Sequence, residues 1–216
     1  MEDLLPSYAR EIEELFSRFA TAMKRKGEDI TLTNILSGRK PFTEHLFSDN
    51  IEDYIYKTVS HKITGGFSTT LGYLIENLSE IILRSAGAEI VKGNPRPYDL
   101  KFIHTDGKEY WIELKSIKAQ NNSTREKIDR NRKEAIRQGK NFRLCIYNDN
   151  TAISVSDTLA WREYWNWIGN STTTYDRIQK IIADYGRLFT IKNFIQDRAE
   201  YLIAEYRLNY VNKLRY

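Results

Sequence analysis

The sequence predicts an α/β fold in which a small mixed β-sheet is flanked by helices, with helical regions before and after it. Three observations predict it. Apolar residues recur at helical spacing through the first and last thirds of the chain, a strand–turn–strand pattern centres on Thr105-Asp106-Gly107, and a further apolar strand, Asn141 to Tyr147, follows a charged helix. Helices, then helix–strand–hairpin–helix–strand, then helices again is the order of a mixed layered core. At 216 residues the chain fits one domain, residues 1–216, made of a helical N-terminal region (1–66), a core (67–150) and a helical C-terminal region (151–216).

Each element has its own signal. Ser7 to Lys26 is expected to be a helix, because Ile12, Leu15, Phe16, Phe19 and Met23 fall on one face and Gly27 is a natural stop. A short helix over Thr33 to Leu36 follows, before Ser37-Gly38-Arg39-Lys40-Pro41 breaks the pattern. Phe42 to Val59 is helical again, with a new start at Asp49-Asn50. The next helix is capped by Thr69 or Thr70, carries the stripe Leu71, Leu74, Ile75, Leu78, Ile81 and Ile82, and ends at Gly87. Glu76 and Glu80 lie four apart beside that stripe. Ala88 to Val91 reads as a short strand. Tyr98 to His104 and Lys108 to Ser116 read as two more, joined by the Asp106-Gly107 turn. Ser123-Thr124-Arg125-Glu126 is a capping box opening a charged helix that Gly139 terminates. Asn141 to Tyr147 is a continuous apolar strand closed by Asn148-Asp149-Asn150, and residues 156–216 read as two or three helices.

Composition excludes several classes. A hydrophobic fraction of 41% with 14 Tyr, 9 Phe and 4 Trp supplies a sizeable core and argues against disorder. The net charge of +4, from 33 basic and 29 acidic residues, identifies no partner unless it is clustered. The single cysteine, Cys145, excludes an internal disulfide, a Cys-based zinc site and an iron–sulfur cluster, and its apolar surroundings predict a buried thiol. No signal peptide and no long apolar span are evident, so a cytoplasmic protein is expected. No P-loop, dinucleotide fingerprint or Ser–His–Asp order is present, which leaves nucleotide hydrolysis, hydride transfer and acyl transfer unsupported.

The chemistry-bearing stretch is Pro97-Tyr98-Asp99, thirteen intervening residues, then Glu113-Leu114-Lys115. Hydrolysing a phosphodiester without a covalent intermediate needs a hard cation on the phosphate and an activated water. Mg²⁺ asks for carboxylate oxygens, one or two from the protein, and Asp99 and Glu113 can supply them. Lys115 lies two residues past Glu113, so both side chains point to one face of a strand, where the ammonium can position the water. Turn chemistry sets the register: Gly107 in the left-handed position gives a three-residue loop with His104 opposite Lys108 and hence Asp99 opposite Glu113. Opposed residues have Cβ atoms roughly 4.5–5.5 Å apart, and like charges there are destabilising unless a cation lies between them. The bland alternative is a solvated strand face of alternating charge. Against it, Glu113 and Lys115 interrupt the apolar run Tyr110-Trp111-Ile112, which is unfavourable unless they serve a site.

The helix from Ser123 to Lys140 carries Arg125, Lys127, Arg130, Arg132, Lys133, Arg137 and Lys140 against Glu126, Asp129 and Glu134. Directly after the catalytic strand, Arg125, Arg130, Arg132 and Lys133 are candidate contacts to a phosphate backbone, with Arg39 and Lys40 and, near the end, Lys213 and Arg215 as further candidates. His45, His61 and His104 are far apart and have no metal-ligand spacing.

Three sets of residues, Lys40-Pro41-Phe42-Thr43-Glu44-His45-Leu46, Phe67-Ser68-Thr69-Thr70-Leu71-Gly72 and Trp111-Ile112-Glu113-Leu114-Lys115, together with Trp165-Asn166-Trp167-Ile168-Gly169 and Thr174-Tyr175, resemble landmarks of type II restriction endonucleases of the TdeIII/MjaII kind. The resemblance runs from about residue 40 to residue 186. It implies a PD-(D/E)xK (restriction-endonuclease-like) core and a homodimeric, Mg²⁺-dependent enzyme. Such an enzyme cuts double-stranded DNA at a short palindromic site, with GG-any-CC as the suggested type, and works alongside a protecting DNA methyltransferase. Carried over by position, the resemblance makes Asp99 and Glu113 metal ligands, Lys115 the catalytic lysine and Glu76 a supporting helix carboxylate. Tyr98 stands where the motif has proline. A structure-specific or repair nuclease with the same core, and a non-catalytic nucleic-acid-binding protein, are the alternatives.

Overall fold

Asparagine side chains cap two of the helices, and several boundaries differ from those the sequence pattern suggests. A computed structural model describes residues 8–39, 48, 50–117, 121–149, 154–186 and 190–211. Its helices are α1 (Ala9–Glu28), α2 (Leu32–Ser37), α3 (Ile51–Ser85), α4 (Asn122–Arg137), α5 (Arg162–Ile168), α6 (Thr174–Gly186) and α7 (Ile191–Tyr206). Its strands are β1 (Glu89–Ile90), β2 (Leu100–Ile103), β3 (Glu109–Lys115), β4 (Asn141–Ile146) and β5 (Thr158–Ala160).

The separate helices expected before and after Thr69 are one helix of 35 residues, α3. Neither Thr69 nor Thr70 caps a helix. Thr70 Oγ1 instead donates to the Gly66 carbonyl at 2.8 Å, and Ser68 Oγ to the Thr64 carbonyl at 3.4 Å, so the hydroxyls bond backward within a continuing helix. Of the helix expected from Phe42 with a new start at Asp49-Asn50, residues 42–47 and Asp49 lie outside the described residues, while Asn50 caps α3, its Oδ1 accepting from the Asp53 amide at 3.0 Å. Gly27 does not stop α1. It lies one residue inside the helix end, where an added Cβ would meet the Phe194 ring at 2.6 Å, so its role is close packing. The capping box is also displaced: Asn121, not Ser123, accepts from the Thr124 amide, at 2.8 Å. Residues 156–216 contain β5 as well as helices, a strand of three residues too short to show a period.

Packing groups the chain into two units, Met1–Phe16 with Gly72–Asp184 and Ser17–Leu71 with Tyr185–Tyr216. The described elements of the second are helices, and its core includes Met23, Ile35, Ile55, Val59, Ile63, Ala199 and Leu202. The first holds the sheet, in the order β1-β2-β3-β4-β5. β1 pairs antiparallel with β2 and β2 with β3, while β3–β4 and β4–β5 are parallel. β3 is the middle strand, and all of Tyr110 to Leu114 is buried, which accounts for its near-continuous apolar reading. On one face Tyr98, Trp111 and Phe142 pack with Ile128 and Ala135 of α4. On the other, Phe102 and Tyr110 meet Trp167, and the buried Tyr164 hydroxyl donates to Ser79 Oγ of α3 at 2.6 Å. Cys145 is buried, and burial pushes its thiol well up.

Candidate functional site

The hairpin turn fixes the register of the site. Gly107 has φ +77, its amide donates to the His104 carbonyl at 2.9 Å, and the His104 amide donates to the Lys108 carbonyl at 2.9 Å. This is the three-residue loop expected from Asp106-Gly107, and the pairing continues through Ile103↔Glu109 to Leu100↔Ile112. The ladder stops there, one position short of the expected Asp99–Glu113 pair. The Asp99 amide donates to the Ile112 carbonyl at 3.0 Å, and Asp99 Oδ2 accepts from the Leu114 amide at 2.6 Å.

Three of the predicted residues come together here. Lys115 Nζ stands 2.7 Å from Glu113 Oε1 and 3.9 Å from Asp99 Oδ2, and donates to the Leu114 carbonyl at 2.9 Å. The Glu113 side chain has no exposed surface and that of Asp99 is 10% exposed. Glu76, half-buried on α3, is near enough for Asp99, Lys115 and Glu113 to act on its charge.

Two residues on α4, both outside the predicted site, complete it. Lys127 Nζ lies 3.1 Å from Glu113 Oε1, and the buried Asn131 donates from Nδ2 to Glu113 Oε2 at 3.0 Å. They are four apart and so share a helix face. Asn131 also reaches the Pro97 carbonyl at 3.5 Å, and its own carbonyl accepts from the Tyr98 hydroxyl at 2.9 Å. An asparagine on the same face as Ile128 and Ala135 was the available signal: a polar residue at a core position of a charged helix must satisfy something.

These contacts set the charge states. Burial is the largest influence on Asp99 and pushes its carboxyl up; the Leu114 amide partly offsets this, and the Glu113 charge adds to it. Burial is also the largest single influence on Glu113, yet the hydrogen bonds and charges of Lys115 and Lys127 together outweigh it and hold that carboxyl below the usual range. Glu76 is raised, first by burial and then by Asp99.

The donor set suits a hard cation. Asp99, Glu113 and the Leu114 carbonyl offer oxygen only. Among the described residues no group of three or more His, Cys, Asp or Glu stands ready to hold a metal, but Mg²⁺ needs only one or two protein carboxylates when water and phosphate fill the remaining positions. Asp99 is the telling residue: it is nearly buried and raised, and the cations of Arg96 and Lys115 each stand 3.9 Å away, beyond hydrogen-bond length. A divalent ion beside it would supply the missing compensation.

The predicted nucleic-acid contacts separate. Arg130 and Lys133 line one groove along α4 with Pro97, Lys127 and Asn131. Arg132 is tied to Asp129 at 2.6 Å and to Asp157 at 2.5 Å, with its guanidinium over the Phe142 ring. Arg125 is exposed at the start of α4, and Arg39, also exposed, follows α2 in the helical unit. Lys40, His45, Lys213 and Arg215 lie outside the described residues. His61 is exposed on α3, whereas His104 is buried and stacked on Trp167 with ring centroids 5.0 Å apart, its Nε2 3.1 Å from the Trp167 carbonyl. Among the described residues no helix is long and apolar enough to cross a membrane. No protein-family model matches the chain, and no curated protein matches it.

Proposed function

We propose that this chain is a Mg²⁺-dependent nuclease of the PD-(D/E)xK kind that hydrolyses phosphodiester bonds in double-stranded DNA. Within that class we propose a type II restriction endonuclease acting as a homodimer at a short palindromic site, beside a protecting DNA methyltransferase. The observation that carries the reading is the approach of Lys115 Nζ to two carboxylates, 2.7 Å from Glu113 Oε1 and 3.9 Å from Asp99 Oδ2.

In this mechanism Asp99 and Glu113 would hold the cation, which when bound supplies Lewis-acid stabilisation of the phosphate and an acidified water. Lys115 orients the attacking water through its ammonium and stabilises charge developing at the phosphorus oxygens. Its bond to the Leu114 carbonyl fixes its direction. Glu76, whose carboxyl is raised by burial and its acidic neighbours, would support the site directly or through water. Attack on phosphorus with loss of the 3′-oxygen leaves 5′-phosphate and 3′-hydroxyl ends. Arg130 and Lys133 supply sequence-independent contact to the backbone.

The test is direct. Purified protein with phage DNA and Mg²⁺ should give discrete bands that Lys115→Ala abolishes. Cleavage confined to junctions or flaps favours a structure-specific or repair nuclease instead.

A second reading draws on the completeness of the Glu113 contacts, since both of its oxygens are occupied by Lys115, Lys127 and Asn131. In that reading the network is structural and the chain binds nucleic acid without cutting it. It predicts salt-sensitive DNA binding, no cleavage with Mg²⁺ or Mn²⁺, and no stabilisation by either ion.

A further inference from the structure

Glu113 Oε1 carries two ammonium groups, Lys115 at 2.7 Å and Lys127 at 3.1 Å, while Asn131 holds Oε2 at 3.0 Å. Lys115 is shared with Asp99 Oδ2 at 3.9 Å, whereas Lys127 pairs with Glu113. The two lysines are not equivalent. Lys115 is on β3, its side chain is 26% exposed, and the Leu114 carbonyl anchors it a second time. Lys127 is on α4 and 46% exposed. It also lines an open groove of about 920 Å³ along that helix, with Pro97, Arg130, Asn131 and Lys133. A four-carbon stem is flexible, so its ammonium can leave Glu113 for the groove without a backbone change.

Resting on the nuclease reading above, we infer that Lys127 is an exchangeable counter-ion: its ammonium holds the Glu113 oxygen that a divalent cation takes, and moves into the α4 groove when that cation binds. The exchange follows from charge. A dication coordinated at roughly 2.1 Å repels an ammonium on the same oxygen, whereas Asn131 is neutral, holds the other oxygen and keeps the carboxylate aimed. The displaced ammonium joins Arg130 and Lys133, adding a positive charge to a groove suited to a phosphodiester backbone. Cation uptake and backbone binding are thereby coupled through one side chain, and Glu113 stays compensated in the absence of the metal.

The test is Mn²⁺ binding to the whole chain, followed through the electron paramagnetic resonance of the free ion, in wild type and in the Lys127→Met, Lys127→Arg and Arg130→Met proteins, with circular dichroism to verify folding. Lys127→Met should bind Mn²⁺ roughly fivefold tighter or more, as expected when a competing interaction is removed. Lys127→Arg keeps a cation and should match wild type. Arg130→Met, which removes an equal charge from the groove but not from Glu113, should change affinity by less than about twofold, because exposed charges are screened. Equal gains for Lys127→Met and Arg130→Met indicate a general charge effect and overturn the exchange, as does an unchanged Lys127→Met. A second readout follows the motion itself. In proton–nitrogen spectra of the lysine ammonium groups, the Lys127 signal, assigned by its loss in Lys127→Arg, should fade on saturation with Mg²⁺ while that of Lys115 persists. A Lys127 signal unaltered by saturating Mg²⁺ overturns the proposal. Uptake that depends on Glu113 but ignores Lys127 sinks only the exchange; no uptake by wild type, or uptake that Glu113→Gln leaves unchanged, sinks the nuclease reading together with it.

Discussion

The backbone amide of Leu114 donates to Asp99 Oδ2 at 2.6 Å, and Asp99 lies one residue beyond the end of the paired β2–β3 ladder. The strand that carries Glu113 and Lys115 therefore also holds the carboxylate facing them. This ties the aim of Asp99 to the hairpin register, and the register to the turn at Gly107.

Replacing Gly107 tests that dependence. At φ +77 a side chain is strained, so Gly107→Val should lower stability by roughly 1–2 kcal/mol and weaken divalent-ion binding through the displaced register. Thermal unfolding with and without Mg²⁺ reads both effects, and a variant with wild-type stability and metal response would break the link between turn and site.

Asp99→Asn should stabilise the metal-free protein. Burial and the Glu113 charge disfavour the ionised carboxylate, while an amide oxygen can still accept from Leu114. A gain near 1 kcal/mol would raise Tm by about 2–4 °C for a chain of this size. Mg²⁺ should stabilise wild type and leave this variant unchanged. A lower Tm without metal contradicts the like-charge account.

Lys115→Ala should leave the fold intact and reduce cleavage by roughly 10²–10⁴-fold, the range typical for loss of a positioned proton-handling group. Plasmid nicking at saturating Mg²⁺ measures it, and cleavage equal to wild type removes Lys115 from the mechanism.

Asn131→Leu should destabilise by about 1–3 kcal/mol, because it leaves Glu113 Oε2 buried without a donor. Chemical denaturation gives the value. A neutral result means water or Lys127 fills the vacancy.

Metal affinity should fall on acidification, starting above the range of an ordinary aspartate. Asp99 and Glu76 are both raised, chiefly by burial, so protons compete with the cation early. Glu113 is held below its usual range by its two lysines despite burial and stays anionic. The folding contributions have opposite signs. A raised Asp99 favours the folded state at acid pH and loses that contribution as pH rises through its folded value. Glu113 contributes above the ordinary glutamate range and loses this as pH falls through its depressed value. Mn²⁺ titrations between roughly pH 5 and 8, the window in which raised carboxyls separate from ordinary ones, should show a steady decline toward acid; a flat profile contradicts the raised Asp99.

What the sequence determined by itself was local or periodic. The Asp106-Gly107 turn fixed the β2–β3 register by backbone geometry alone, from Ile103↔Glu109 as far as Leu100↔Ile112. The two-residue spacing of Glu113 and Lys115 fixed their common face for the same reason. Apolar periodicity located most helices and the strands from β1 to β4.

Other features were decided only by the tertiary structure. α3 continues through Gly65, Gly66 and Thr70, whose hydroxyl bonds back to the Gly66 carbonyl; a threonine can cap a helix or bond backward along it, and local sequence does not choose. Gly27 looks like a helix stop until Phe194 fills the space beside it. Arg132 and Lys133 read alike on a charged helix, yet one is held by Asp157 and the other lines the groove. Above all, Lys127 and Asn131 join Glu113 through the parallel crossover that lays α4 over β3. Contacts across such a crossover follow from packing rather than from any sequence period, so the helix side of the site was visible only once the chain had folded.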